Sequence, residues 1–332
     1  MDILKKLPLM LLPAALTGCY ENFTPDIDST PVLSVSALVT DGEPIEVTIG
    51  HSVDYTDEDK PYREVTDAGV TVYVNGAEVT EDYLPRQGDR VRIEVYSPTY
   101  GSAAGEVTVP VSVAPDEVRY TLSDVRRVKY ESYEGETEEN VAFNLLVEVR
   151  ITDPSDTENY YRMDWRPTGT QFYCGEMDYE AEPIFSEHIG IFESAAGSTA
   201  GQFSFFTDRQ FAGSTYAVHL HFKNCAVRVN PDGTLPDCGL EVLLKSVSAS
   251  YYYLANYVWQ TTEGVFFDLG ETGLGEPRAG YSNVTSGAGV VGAQSTAGCS
   301  LDLGEALREA LQTAHFIRGT MADGDGSSIN IR

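Results

Sequence analysis

The chain has 332 residues and carries 51 acidic against 22 basic side chains, a net charge of −29 at neutral pH. A surface that negative repels phosphate backbones and anionic lipid headgroups, which argues against nucleic acid as a partner and against membrane binding through charge. The length suffices for two domains of ordinary size, and no apolar run reaches the roughly 20 residues of a membrane-spanning helix.

Lys5 and Lys6 precede an apolar run from Leu7 to Leu16, broken by Pro8 and Pro13, and the run ends in Leu16-Thr17-Gly18-Cys19. That is the layout of an export signal, but it closes on a cysteine instead of a small-residue cleavage site. Leu-x-Gly-Cys resembles the lipobox of bacterial lipoproteins. The resemblance implies a diacylglycerol on the Cys19 thiol, cleavage before Cys19 and acylation of the new amino terminus. Residues 1–18 are then a signal peptide and residues 19–30 a lipidated polar tether. Each buried methylene contributes about 0.8 kcal/mol, so several acyl chains hold a protein firmly on a bilayer. Tyr20 stands where an Asp would retain a lipoprotein in the inner membrane, so the expected location is the cell outer membrane, on its periplasmic face or at the cell surface. Asp28-Ser29-Thr30 looks like a short O-glycosylation acceptor.

Residues 31–112 alternate with period two, the mark of half-buried strands. Leu33, Val35, Ala37 and Val39 share one face, and Ile45, Val47 and Ile49 share a face of the next strand. Val70, Val72 and Val74 run into Asn75-Gly76, the strongest short hairpin signal. Val91, Ile93 and Val95 follow, then Val107 and Val109. Short strands with frequent turns predict an immunoglobulin-like β-sandwich. The acidic stretch from Asp54 to Lys60 reads as a solvated loop, and Pro110 and Pro115 bracket an inter-domain linker.

Residues 113–332 continue the β pattern and predict a second β-rich sandwich domain with one or two short helices, so the fold class is mainly β. Phe143, Leu145, Val147 and Val149 alternate, as do Tyr216, Val218, Leu220 and Phe222. Tyr160, Arg162 and Asp164 alternate with Tyr161, Met163 and Trp165. Residues 133–140 and 194–201 read as loops. Ala249 to Thr262 has helical spacing at Tyr253/Tyr257 and Leu254/Val258, and Leu303 to Phe316 is the better helix former. Ile329 and Ile331 in the Gly- and Asp-rich tail suit a short last strand.

After Cys19 the chain holds Cys174, Cys225, Cys238 and Cys299. An even set in an exported protein suggests disulfides. Cys225 and Cys238 flank Asn230-Pro231-Asp232-Gly233, a strong turn signal, and a hairpin there would set them opposite each other. Cys174 with Cys299 would follow by elimination, although four cysteines allow three pairings. No Cys-x₂-Cys pair suggests zinc.

Other short motifs fail on context. Gly287-Ala-Gly-Val-Val-Gly292 matches G-x-G-x-x-G but lacks the βαβ frame a dinucleotide needs, so a glycine-rich strand or bulge is expected. His219-Leu-His221 puts two imidazoles on the polar face of a strand with Ala217 and Lys223, where solvation is the simpler reading. Asp323-Gly-Asp325 begins like a calcium loop, but its sixth position is Ser328 and the sequence ends before a twelfth. Gly197-Ser-Thr-Ala-Gly201 has Thr where a nucleophile elbow needs Ser. No metal, cofactor or catalytic residue is expected.

Several stretches together resemble a known family. They are Pro31–Gly42, Val47–Tyr55, Val65–Val72, Leu244–Leu254, Gly275-Glu-Pro277, Ser282-Asn-Val284 and Gly287–Ala293. The family comprises two-domain outer-membrane lipoproteins of Gram-negative bacteria, catalogued as a domain of unknown function, and their genes often lie beside TonB-dependent receptors. The resemblance implies a non-enzymatic accessory lipoprotein that cooperates with such a receptor in nutrient capture. A structural or adhesive surface lipoprotein is the alternative. It carries over no catalytic residue and names no ligand. The residues themselves suggest a recognition surface at Tyr251, Tyr252, Tyr257 and Trp259, with Trp165, Tyr160 and Tyr161 as neighbours, because aromatics with polar handles suit such surfaces. Packing between helix and sheet is the competing role for the same side chains, and exposure separates the two.

Overall fold

The computed structural model describes residues 30–53, 65–131, 137–154, 157–188, 203–262, 280–312 and 316–320. The lipobox with Cys19, the acidic stretch from Asp54 to Lys60, residues 133–136 and 194–201, and the tail with Ile329 and Ile331 lie outside the described residues. Among the described residues no helix is long and apolar enough to cross a membrane.

The chain is mainly β, and its strands, numbered in chain order, form three sheets. The central one holds β1 (Leu33–Thr40), β2 (Val47–His51), β9 (Tyr160–Thr168), β12 (Phe205–Thr207), β14 (Gly239–Val247) and β16 (Val291–Asp302), in the order β12-β9-β14-β16-β1-β2. A smaller sheet holds β3 (Gly69–Val74), β4 (Ala77–Glu78), β5 (Arg90–Ser97), β6 (Gly101–Thr108) and β15 (Val284–Thr285). The third holds β7 (Glu117–Glu131), β8 (Thr137–Thr152), β13 (Thr215–Arg228) and β17 (Phe316–Thr320), with the short β10 (Phe172–Tyr173) and β11 (Glu176–Met177) along the free edge of β13.

Alternation decides which face of the central sheet meets which partner. Leu33, Val35 and Val39 of β1, with Val291 and Ala293 of β16, close a core against Val91, Ile93, Val95 and Val107 of the small sheet. Farther along β16 the side chains of the same parity, Cys299 and Leu301, join Leu240, Val242, Leu244, Tyr161 and Met163 in a second core against Phe143, Leu145, Leu220 and Phe222 of the third sheet. One face of the central sheet therefore carries both other sheets side by side. The opposite face is covered by α1 (Ala249–Thr262), whose Tyr251 sits over Gly292.

Strand pairing crosses the boundary that the linker near residue 112 suggests. β1 runs parallel to β16, with Ala37 opposite Val291, and β15 pairs with β6, with Val284 opposite Gly105. Residues 284–293 thus complete the N-terminal sandwich. The glycine-rich block is its seam, which agrees with the sheet element expected there. A Cβ on Gly287 would meet the Leu33 carbonyl, and one on Gly289, at φ +107°, would run into the Val35 backbone.

Two expectations need correction. The Asn230–Gly233 turn forms, with the Gly233 N–H donating to the Asn230 carbonyl at 2.8 Å, but it does not fold back as a hairpin. Beyond it β14 leaves the third sheet and pairs with β9 and β16 in the central one. Cys225 and Cys238 therefore lie on different sheets, as do Cys174 and Cys299, and all four are free thiols. The helix expected from Leu303 to Phe316 is shorter, with α2 at Gly304–Ala310, and Phe316 opens β17, which pairs in parallel with β7. Buried Leu303 and Leu307 anchor α2, and its capping residue Leu311 is half-buried.

Candidate functional site

α1 starts at Ala249 because Ser248 caps it: the Ser248 hydroxyl accepts from the Tyr251 N–H at 3.2 Å and from the Ala293 N–H of β16 at 2.9 Å. Ser250 fixes the same turn by donating to the Val291 carbonyl at 2.8 Å. From that anchor the predicted aromatics fan out over the sheet. Tyr252 and Trp259, seven residues apart and so on one helical stripe, are 5 % and 6 % exposed. They pack on Tyr160, Phe203, Phe205 and Val247 in a satellite core. Ring centroids lie 4.9 Å apart for Tyr160–Tyr252 and 5.4 Å for Phe203–Trp259. Both side chains hold the helix to the sheet and have little surface left for a ligand.

The exposed rim belongs to other residues. Tyr253, 37 % exposed, shares a hydroxyl–hydroxyl hydrogen bond of 3.1 Å with Tyr160 and lies 5.4 Å from the ring of Tyr281. The Tyr160 hydroxyl also donates to Glu158, which pairs with Arg209 at 2.9 Å. The hydrogen bond from Arg209 draws the Glu158 carboxyl below its ordinary range, whereas burial pushes the Tyr160 and Tyr281 phenols up. These phenols stay protonated, fit for hydrogen bonding and unfit as bases. On the other side of the helix Arg162 donates to the Tyr251 hydroxyl at 3.0 Å and lies 5.2 Å from the Phe205 ring centre. Tyr251 also borders a shallow cavity of about 330 Å³ with Leu38, Glu46 and Leu254, and half-buried Tyr257 rests on Gly280. Trp165 and Tyr161 face the opposite side of the sheet, in the large core, so of the expected neighbours only Tyr160 joins α1.

A wider cleft of about 810 Å³ opens at the far end of the third sheet, between Phe172, Tyr173 and Asn230. Its charges are already matched: Arg228 pairs with Glu138 at 2.6 Å and Lys129 with Glu139 at 3.4 Å.

Three polar clusters escaped the sequence reading. Glu182, fully buried in the strap that follows β11, accepts from the Tyr216 hydroxyl and the His219 N–H, both at 2.6 Å. The His219 ring lies between Glu182 (3.3 Å) and Glu148 (3.7 Å) and its side chain stays 40 % exposed, so the polar face of β13 keeps its access to solvent while the strap holds the strand's edge. Asp153 and Asp208 form a buried carboxyl pair at the end of the large core, tied to Asn159 and to the Tyr161 hydroxyl. Cys174 and Cys225 meet across β13, with the Cys174 S–H donated to Cys225. None of these pairs has a characteristic sequence spacing. Among the described residues no group of three His, Cys, Asp or Glu side chains could hold a metal ion.

The geometry defines a β-sandwich-like protein built on one shared sheet, with an aromatic helix on its outer face. The chain matches the model of the family "Domain of unknown function (DUF4249)" over residues 20–298 and belongs to that family. Neither a curated protein nor a solved structure matches it.

Proposed function

We propose that this chain is a non-enzymatic outer-membrane lipoprotein that serves as an accessory binding component beside a TonB-dependent receptor in nutrient capture. The observation that carries the reading is Cys19 at the end of Leu16-Thr17-Gly18, with the family match opening at the next residue. Anchor and fold are then joined by residues 20–32 alone, which span at most about 45 Å when fully extended. The charge of −29 keeps the folded part off anionic headgroups and leaves its surface for contact with protein or solute. We read the N-terminal sandwich as an immunoglobulin-like spacer and the rim of Tyr253 and Tyr281, backed by buried Tyr160, as the contact patch. Phenol hydroxyls donate and accept hydrogen bonds at a surface while their rings cover apolar area.

The test is an affinity pull-down of the intact, anchored protein from its native outer membrane, with a Cys19→Ala control and mass spectrometry of the extract. One TonB-dependent receptor that co-purifies with the wild type and disappears in the control is the expected result. An extract without a receptor sinks the proposal and leaves the structural or adhesive reading in its place.

A further inference from the structure

The third sheet places two thiols face to face. β10 pairs with β13 as Phe172↔Val227 and Tyr173↔Ala226, and β11 continues the same register as Glu176↔Lys223 and Met177↔Phe222. Between them Cys174 falls directly opposite Cys225. The approach there is close: a Cβ on Gly175 would strike the Lys223 carbonyl and crowd the backbone of Asn224 and Cys225. Directly opposed antiparallel residues have Cα atoms roughly 4.5–5.5 Å apart, inside the range of about 4.4–6.8 Å that a disulfide spans. The side chains also point the same way, since Cys225 is fully buried in the large core and Cys174 packs against that core from its edge.

A built-in bulge holds this arrangement. The β13–β8 register shifts between Phe222 and Cys225, where Asn224 takes φ +60°. Asn144 of β8 fixes that bulge, its side-chain carbonyl accepting from the Asn224 N–H at 3.1 Å.

We infer that Cys174 and Cys225 are a disulfide-forming pair, closed by exchange with a disulfide-bearing oxidant. The half-buried Cys174 sulfur bonds to one sulfur of the oxidant, and the other oxidant sulfur leaves as a thiol with the Cys174 proton. Cys225 then attacks the Cys174 sulfur, the mixed disulfide breaks, and the second oxidant sulfur leaves as a thiol with the Cys225 proton. Two protein thiols are oxidised and one oxidant disulfide is reduced to two thiols. The product would clamp the start of the strap that carries Glu182 onto the free edge of β13. Cys238 and Cys299 have no such partner: Cys299 stands opposite Val242, four positions along the strand from Cys238.

The experiment uses the reduced, purified full chain with glutathione disulfide as the oxidant, so its result does not depend on where the protein resides in the cell. Expected are a fall of two free thiols per chain, a proteolytic fragment pair joining Cys174 to Cys225 in mass spectrometry, and a melting temperature several degrees higher that returns on reduction. Any other joined pair, glutathione adducts on Cys174 and Cys225, or an unchanged thiol count would overturn the inference. The mapping is done on wild-type protein, so it stands even if Cys225→Ser does not fold.

Discussion

Asp153 and Asp208, 3 % and 1 % exposed, share their site with each other and with Asn159. Burial and the neighbouring Asp153 charge hold the Asp208 carboxyl above its ordinary range, against the hydrogen bond that the Asn159 N–H donates to it. A carboxyl whose folded-state pKa is raised favours the folded state when protonated, so its contribution is full below the unfolded value near 4 and is lost as pH rises through the folded one. Asp208→Asn keeps an acceptor for Asn159 and supplies a neutral donor toward Asp153. The variant should melt a few degrees above wild type at pH 7, with the gap closing toward pH 4 in a calorimetric series. A variant less stable than wild type at pH 7 would show that the pair needs its charge. The aromatics separate at this same scale: Trp259→Ala empties a buried site and should cost about 3–5 kcal/mol in denaturant melts. Half-exposed Tyr253→Phe, which keeps the ring and removes only the hydroxyl shared with Tyr160, should cost about 0.5–1.5 kcal/mol, well below the Trp259 variant.

At the scale of elements, what the sequence made legible followed from periodicity. α1 lies where the spacing of Tyr253, Leu254, Tyr257 and Val258 puts it, and the alternation of Leu33–Val39, Phe143–Val149 and Tyr216–Phe222 correctly marks their buried faces. The strap from Glu176 to His188 was not legible, because a two-residue strand and short 3₁₀ turns have no period to detect. It is held to β13 by the β11 pairing, by the Asp178 N–H donated to the His221 carbonyl at 2.7 Å and by the buried Glu182 carboxylate. Glu182→Ala would leave the Tyr216 hydroxyl and the His219 N–H without their acceptor, at about 1–3 kcal/mol for each donor that finds no water. Chemical denaturation should show a loss of about 3 kcal/mol, and Glu182→Gln, which keeps one acceptor oxygen but turns its NH₂ toward the other donor, about half of that. A Glu182→Ala variant as stable as wild type would mean that the β11 pairing holds the strap without this carboxylate. The absent Cys225–Cys238 hairpin has a related cause: the Asn230–Gly233 turn is a local feature, but which sheet the next strand joins is decided by the apolar run of β14, buried between β9 and β16.

At the scale of the whole molecule the alternating pattern says that strands exist and which side is wet, but not who pairs with whom. That is why the sequence suggests a first sandwich ending near residue 112, while its sheet partner for β1 arrives about 180 residues beyond that point, at Val291. The consequence is a fold in which β16 is common property, its first residues in one core and its last in the other. A fragment of residues 30–112 would lack Val284, Val291 and Ala293 from its core and leave the β16-facing edge of β1 without a hydrogen-bonding partner. An open edge and a core missing one wall are poor conditions for independent stability. We expect that fragment to give collapsed amide dispersion in NMR and no cooperative thermal transition. A fragment extended with residues 281–302 through a flexible linker should regain part of both, because it restores the seam. A cooperative melt from 30–112 alone would mean that β2 and the small sheet suffice, and that the central sheet joins two independently folded units.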